Sequence, residues 1–213
     1  MTSSPVYKYL PRRHAIALAQ GRSIFVRTLK HFRDVERHGS ERGDAGEGKR
    51  RIRGMMNGPP NAFSQGAVEI GEGSRNVVFR NCPIDTTYWM DAYAYCVSTV
   101  CSHATMALFG DADACVRIDD PAAFLREIES VLRISGGLSI NDREMGRVVY
   151  DGRRSYQLEH LPDISPAFMK PGSYAPQHEF RMVWMSSKPI RNPDHPFPCP
   201  RVTKYCSLVS VPD

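Results

Sequence analysis

Gln177 and Glu179 are the side chains of this 213-residue chain whose types and spacing best suit chemistry. They lie in the segment Tyr174-Ala175-Pro176-Gln177-His178-Glu179-Phe180-Arg181-Met182-Val183-Trp184, where a turn-forming lead-in runs into an apolar stretch. A strand period of two puts Gln177, Glu179 and Arg181 on one face, and His178, Phe180, Met182 and Trp184 on the other. The first face is polar. The second reads as core, with His178 expected as a core or near-core histidine. A carboxylate held at the mouth of a sheet stabilises positive charge developing on a sugar without covalent work. An amide two residues earlier can donate to, or accept from, an incoming nucleophile. The competing reading is that Glu179 simply pairs with Arg181 on its own face.

Two further polar groups precede this pair. The first is Tyr7, Lys8 and Tyr9 on a short strand, followed by Arg12 and Arg27, whose cations suit phosphate. The second is Ser98-Thr99 inside an apolar strand, where the bland reading is strand propensity and the functional one is hydrogen bonding that braces Glu179. Ser98 lacks the Gly-x-Ser-x-Gly elbow of a hydrolase nucleophile.

In order and residue type these groups resemble the ADP-ribosyltransferase plan. In that family an N-terminal strand supplies an aromatic, His or Arg for the cofactor. A middle strand carries Ser-Thr-Ser, and a late strand carries the catalytic Glu, often as Gln-x-Glu. Ser98-Thr99 matches two positions of the middle motif, with Val100 in place of its last Ser, and Gln177 and Glu179 match the late one. The chain also resembles an uncharacterised bacterial family suggested to be ADP-ribosyltransferase-like. The shared motifs are Tyr7-Lys8-Tyr9, Cys96-Val97-Ser98 with Phe109-Gly110, and Glu179-Phe180-Arg181. The resemblance implies a single split β-sandwich domain over residues 1–213 that takes NAD as substrate and transfers ADP-ribose from it or cleaves it. Glu179 and Gln177 would be catalytic, and Tyr7, Lys8, Tyr9, Arg12, Arg27, Ser98 and Thr99 would bind the cofactor. A macromolecular acceptor, and a toxin or phage-defence context, come only with the resemblance.

Residues 38–61 are rich in Gly, Arg and Asp and read as a long loop, a feature that is usually functional or disordered. Its glycines let backbone approach a ligand. Arg42, Asp44, Glu47, Lys49, Arg50, Arg51 and Arg53 are the candidates for a substrate or phosphate loop folding over a cofactor as a lid. A rival enzyme reading takes Asp34, Glu47 and Lys49 as an Asp…Glu-x-Lys magnesium nuclease site, although glycines flank Glu47 where that motif needs a strand. A non-catalytic reading makes the chain a basic nucleic-acid or partner-binding module, with the Pro-rich excursion 189–200 as a docking segment.

The positive charge is concentrated in the first quarter of the chain, where the plain reading is a solvated loop with counter-ions and the functional one a contact with nucleic acid or a dinucleotide. Residues 1–53 carry 13 Lys/Arg against 5 Asp/Glu, and the remainder 15 against 18. The excess peaks at Lys49-Arg50-Arg51-Ile52-Arg53, a cluster that attracts phosphate, but no aromatic interleaves it in sequence. At 41% hydrophobic and 24% charged residues, a core is within reach without staples. The six cysteines form no Cys-x-x-Cys, and most of them are expected to be reduced and buried. The histidines show no metal-ligand spacing, so no metal site is expected. With no apolar run long enough to span a membrane and no signal-like start, a cytoplasmic location is expected.

The elements that must position these groups follow from pattern. Helices are expected over 11–19, with Gly21 as terminator, and from Pro121, where Asp120 is a cap and Phe124, Leu125, Ile128, Val131 and Leu132 recur at helical spacing, up to Gly136-Gly137. Strands are expected at 7–9, 23–28, 66–70, 76–80, 93–100, 114–118, 146–150, 178–184 and 206–211. Trp89 and Trp184 read as packing residues. The sum is an α+β fold of two packed, mainly antiparallel sheets with a few helices.

Overall fold

A computed structural model describes residues 4–34, 44–59, 75–135, 140–150, 156–157, 164–186 and 196–212. Within them the fold is mixed α+β, with a seven-stranded antiparallel main sheet and smaller sheets beside it. The main sheet runs β12 (Cys206–Val209), β6 (Ala114–Ile118), β1 (Val6–Leu10), β5 (Tyr93–Ser98), β11 (Glu179–Ser186), β7 (Ile140–Arg147). β2 (Arg27–Thr28) joins it by pairing with β5.

Strand alternation sorts the two faces. Tyr93, Tyr95 and Val97 of β5 and Met182 and Trp184 of β11 point into the main core with Val6, Val116 and Ile118. Two helices complete that core. α1 (Arg12–Ala19) contributes Ala15 and Leu18 and ends before Gly21, which sits at φ +62°. The long helix (Pro121–Ser135) contributes Phe124, Leu125, Ile128 and Leu132, and the Asp120 carboxylate accepts from Ala123 N–H at 2.9 Å as its cap. On the opposite face, Ala94 of β5 and Val183 of β11 pack a smaller cluster with Leu29, Ala92, Ala167 and Phe168.

β1 and β5 share only one register position, Tyr7 opposite Ser98. Beyond it the strands part, and β2 takes over the β5 edge at Ala94 and Tyr93. Lys8 bridges part of the opening: its Nζ donates to the Cys96 carbonyl at 2.6 Å and lies 4.8 Å from the Tyr95 ring centroid. The sheet is therefore split beside its middle strand, and the split is where the candidate site lies.

Three expectations need correction here. Residues 49–58 are not loop but a strand, β3 (Lys49–Gly58), paired along its length with β4 (Phe79–Trp89). Cross-strand pairing outweighs a Gly- and Arg-rich composition. The expected strand over 23–28 is reduced to Arg27–Thr28. His178 is not core: it is exposed at φ +47°, where it ends the 3-10 turn Gly172–Gln177 before the strand begins, so the alternation that buried it does not yet apply. The expected strand over 66–70, the helix stop at 136–137 and most of the Pro-rich excursion lie outside the described residues. All six cysteines are free, three of them buried.

Candidate functional site

One rung of the main sheet holds the three groups singled out in sequence. Tyr7 on β1 stands opposite Ser98 on β5, and Ser98 stands opposite Glu179 on β11. A cavity of about 160 Å³ opens over this rung, walled by Tyr7, Lys8, Tyr9, Ser98, Gln177 and Glu179 together with Glu47, Lys170, Arg181, Phe32, Phe109 and Cys96. Phe109 stacks on Tyr9 at 5.5 Å, and the Tyr9 hydroxyl donates to the Val100 carbonyl at 2.8 Å, fixing the end of β5.

The floor is a chain of buried charges. Arg181 Nε donates to Glu179 Oε1 at 2.6 Å, and its two terminal nitrogens hold both oxygens of Glu47 at 2.6 and 2.9 Å. Arg181 also donates to the Ala167 carbonyl. Lys170 Nζ lies 2.6 Å from the other Glu179 oxygen and donates to Gln177 Oε1 at 3.3 Å, below the Tyr174 ring at 4.7 Å. Glu47 and Arg181 are each 1% exposed, and Lys170 and Glu179 each 5%. Two cations and two carboxylates leave the group neutral, which is the arrangement in which buried charge is tolerated. Burial alone would raise the Glu179 pKa, but Arg181 and Lys170 reverse this and hold the carboxyl well below the usual range. Burial likewise pulls Lys170 down, and Glu179 outweighs it, leaving the ammonium above its ordinary value. The Cys96 thiol is pushed up to about 12 by burial and then by Glu179, so it is a neutral wall.

Backbone bonds aim Glu179. Its N–H donates to the Tyr150 hydroxyl at 2.7 Å, and its carbonyl accepts from Val148 N–H at 2.9 Å. Thr99 anchors the preceding residue, its N–H and hydroxyl both donating to the His178 carbonyl at 2.9 and 3.3 Å. The expected bracing by Ser98 and Thr99 thus acts on backbone rather than on the carboxylate, since the Ser98 hydroxyl accepts from Val100 N–H at 3.1 Å. Glu47 is delivered by a tight turn in which its N–H donates to the Asp44 carbonyl at 2.8 Å. Gly48 closes that turn at φ +68°, and a Cβ there would meet the Met90 carbonyl oxygen at 2.5 Å.

Not every expected residue reaches the cavity. Arg12 is exposed, with its backbone N–H on the Asp113 carboxylate. Arg27 lies 4.4 Å over the Phe25 ring and lines a neighbouring cavity of about 240 Å³. Thr99 stands outside the wall. Of the expected phosphate loop, Arg42 lies outside the described residues, and Asp44 is buried with its carboxylate accepting from Gly46 N–H at 3.0 Å. Lys49, Arg50, Arg51 and Arg53 sit on β3, and none of them lines the cavity. Glu47 alone of that segment does. The nuclease trio is committed elsewhere: Glu47 to Arg181, Lys49 over the Trp89 ring at 5.3 Å, with Asp34 exposed. No cluster of three or more His, Cys, Asp or Glu able to hold a metal occurs among the described residues.

Sequence reasoning missed Lys170, Tyr150 and Phe32. Lys170 stands in no motif, and its role arises only because β10 (Met169–Lys170) ends beside the start of β11. No family model matches the chain, no curated protein is similar to it, and no solved structure matches it. No helix among the described residues is long and apolar enough to cross a membrane.

Proposed function

We propose that the cavity at the β1–β5 split binds the nicotinamide–ribose end of NAD, and that the protein transfers ADP-ribose from NAD or cleaves it. The observation that carries this reading is the rung Tyr7–Ser98–Glu179, which unites three segments remote in sequence over one cavity with Gln177 beside them. Size and donor set fit the ligand in two parts. About 160 Å³ suits a nicotinamide-sized head. The neighbouring cavity shares Lys8, Leu10, Phe32 and Cys96 with the first and adds Arg27 and His14, donors suited to a pyrophosphate. Ligand sites usually hold about 300–1,000 Å³, so neither cavity alone suits a dinucleotide and the adjoining pair does.

Each residue has a role in this reading. Glu179 is the carboxylate aimed at the sugar, able to accept from a ribose hydroxyl and to face developing positive charge. Arg181 stays in place, clamped by both oxygens of Glu47. In this reading Lys170 must swing away to uncover Glu179 Oε2, and Gln177 Oε1 and the Tyr174 ring lie within its reach. The Gln177 amide then orients the nucleophile. Saturation-transfer NMR with NAD tests the placement. Nicotinamide and adjoining ribose protons should receive more saturation than adenine protons, and free nicotinamide should compete. Arg27→Gln should weaken NAD while leaving nicotinamide unaffected. Absence of transfer at millimolar NAD, or transfer centred on adenine alone, would overturn it.

A further inference from the structure

The outward face of the β3–β4 ribbon is separate from the cavity, and its composition is one-sided. Lys49, Arg51, Arg53 and Arg80 stand against a single carboxylate, Asp85, while Arg50 shares the inward parity of Ile52 with its guanidinium beside Met169 Sδ. Alternation turns Ile52 and Met56 inward, where both are 3% exposed, and leaves Arg51, Arg53 and Met55 outward. Register then sets Trp89 directly opposite Lys49. The indole is 47% exposed, with Lys49 Nζ 5.3 Å and the Arg33 guanidinium 5.0 Å from its ring centroid. An exposed tryptophan among cations, at the head of a line of cations, is not a packing residue. It is also the aromatic that the basic cluster lacks in sequence, supplied from forty residues away by strand pairing.

We infer that this face binds single-stranded nucleic acid, with a base stacked on Trp89 and the backbone running along Lys49, Arg51 and Arg53. The chemistry is complementary on both counts. Phosphates answer the line of cations, and every base offers a π-face to an aromatic platform. Asp85 bonds Arg51 at 2.8 Å and Arg53 at 3.1 Å, but these pairs are half-exposed and cost little to open. The β3 strand begins two residues after Glu47, and Arg33, whose guanidinium lies over Trp89, donates from Nε to the Glu47 carbonyl at 2.7 Å. The inference does not depend on what the cavity binds.

The test is fluorescence anisotropy with a labelled oligothymidylate of about 20 nucleotides, long enough to cover one such groove, against the same length of duplex. The single strand should bind more tightly and quench tryptophan emission. Trp89→Ala should weaken it by roughly 5- to 150-fold, the range for one lost base stack, and Trp89→Phe should restore most of the loss. With three phosphate contacts the log–log salt slope should be about −2. Arg51→Gln with Arg53→Gln should flatten it, and Asp85→Asn should tighten binding. All positions changed are exposed, and unchanged melting temperatures would confirm folding. No binding at low salt, equal binding of duplex with no effect of Trp89→Ala, or equal binding of an acidic polypeptide would each overturn the inference.

Discussion

Replacing Arg181 by Met removes the one side chain that joins Glu47 to Glu179. Three charges then remain in a space where each is at most 5% exposed: two carboxylates and Lys170. Breaking a buried pair by deleting one partner costs about 3–5 kcal/mol, because the survivor stays desolvated and unpaired. In a chain of this size each 1 kcal/mol moves the midpoint by about 2–4 °C, so the loss should be roughly 6–20 °C. Glu47→Leu should cost a similar amount, because Glu179 alone then faces two buried cations, Arg181 and Lys170. The double variant tells the two explanations apart. With both gone, Glu179 and Lys170 form a neutral pair, so the double change should cost little more than the worse single one. The coupling in a urea-unfolding cycle should be at least about 2 kcal/mol, within the range for contacting residues. Strict additivity would refute the claim that these charges act as one buried chain.

Other outcomes follow from the same geometry. Because Glu179 is held below its ordinary value of 4.5, its contribution to stability is fully present above that pH and is lost as pH falls from there through its lower folded value. Because Lys170 is held above 10.5, its contribution is fully present below that pH and is lost as pH rises from there through its higher folded value. Urea midpoints should therefore be flat between about pH 5 and pH 10 as far as these groups decide, and Lys170→Met should weaken both limbs. Gly48→Ala should destabilise by more than the ~1 kcal/mol usual for a left-handed position, because its Cβ also strikes the Met90 carbonyl, and a calorimetric scan measures this. Cys96 should resist alkylation at pH 8 in the folded protein and react on unfolding, since burial pushes its thiol up to about 12.

Much of the frame was legible because local signals agreed with tertiary demands. The Asp120 cap and helical spacing gave the long helix, Gly21 ended α1, and the short apolar run 114–118 is the buried strand β6. The fold class, mixed α+β with a mainly antiparallel sheet, follows from those elements. What local pattern could not carry was partnership at a distance. Glu47 and Arg181 are 134 residues apart and meet only because the Gly48 turn, seated against Met90, Arg33 and Leu29, delivers the Glu47 side chain to β11. The same limit hid Lys170 and set Trp89 among core residues when it stands at the surface across from Lys49. β3 was read as loop because glycine and arginine dominate its composition, whereas pairing with β4 decides its conformation. The bland alternative for Glu179, pairing with Arg181, is realised in the structure, and any chemistry at Glu179 must work around that pair.

Nicotinamide release from NAD by the wild type and by Glu179→Gln, side by side, addresses the central claim most directly. Glu179→Gln leaves the Lys170 cation buried with less to pair it, so the variant should be less stable by about 3–5 kcal/mol and must be assayed well below its own melting temperature. The wild type should release nicotinamide, and a Glu179→Gln variant shown to be folded should release none. Equal release by both, or no release and no NAD-induced thermal shift with the wild type, would contradict that claim.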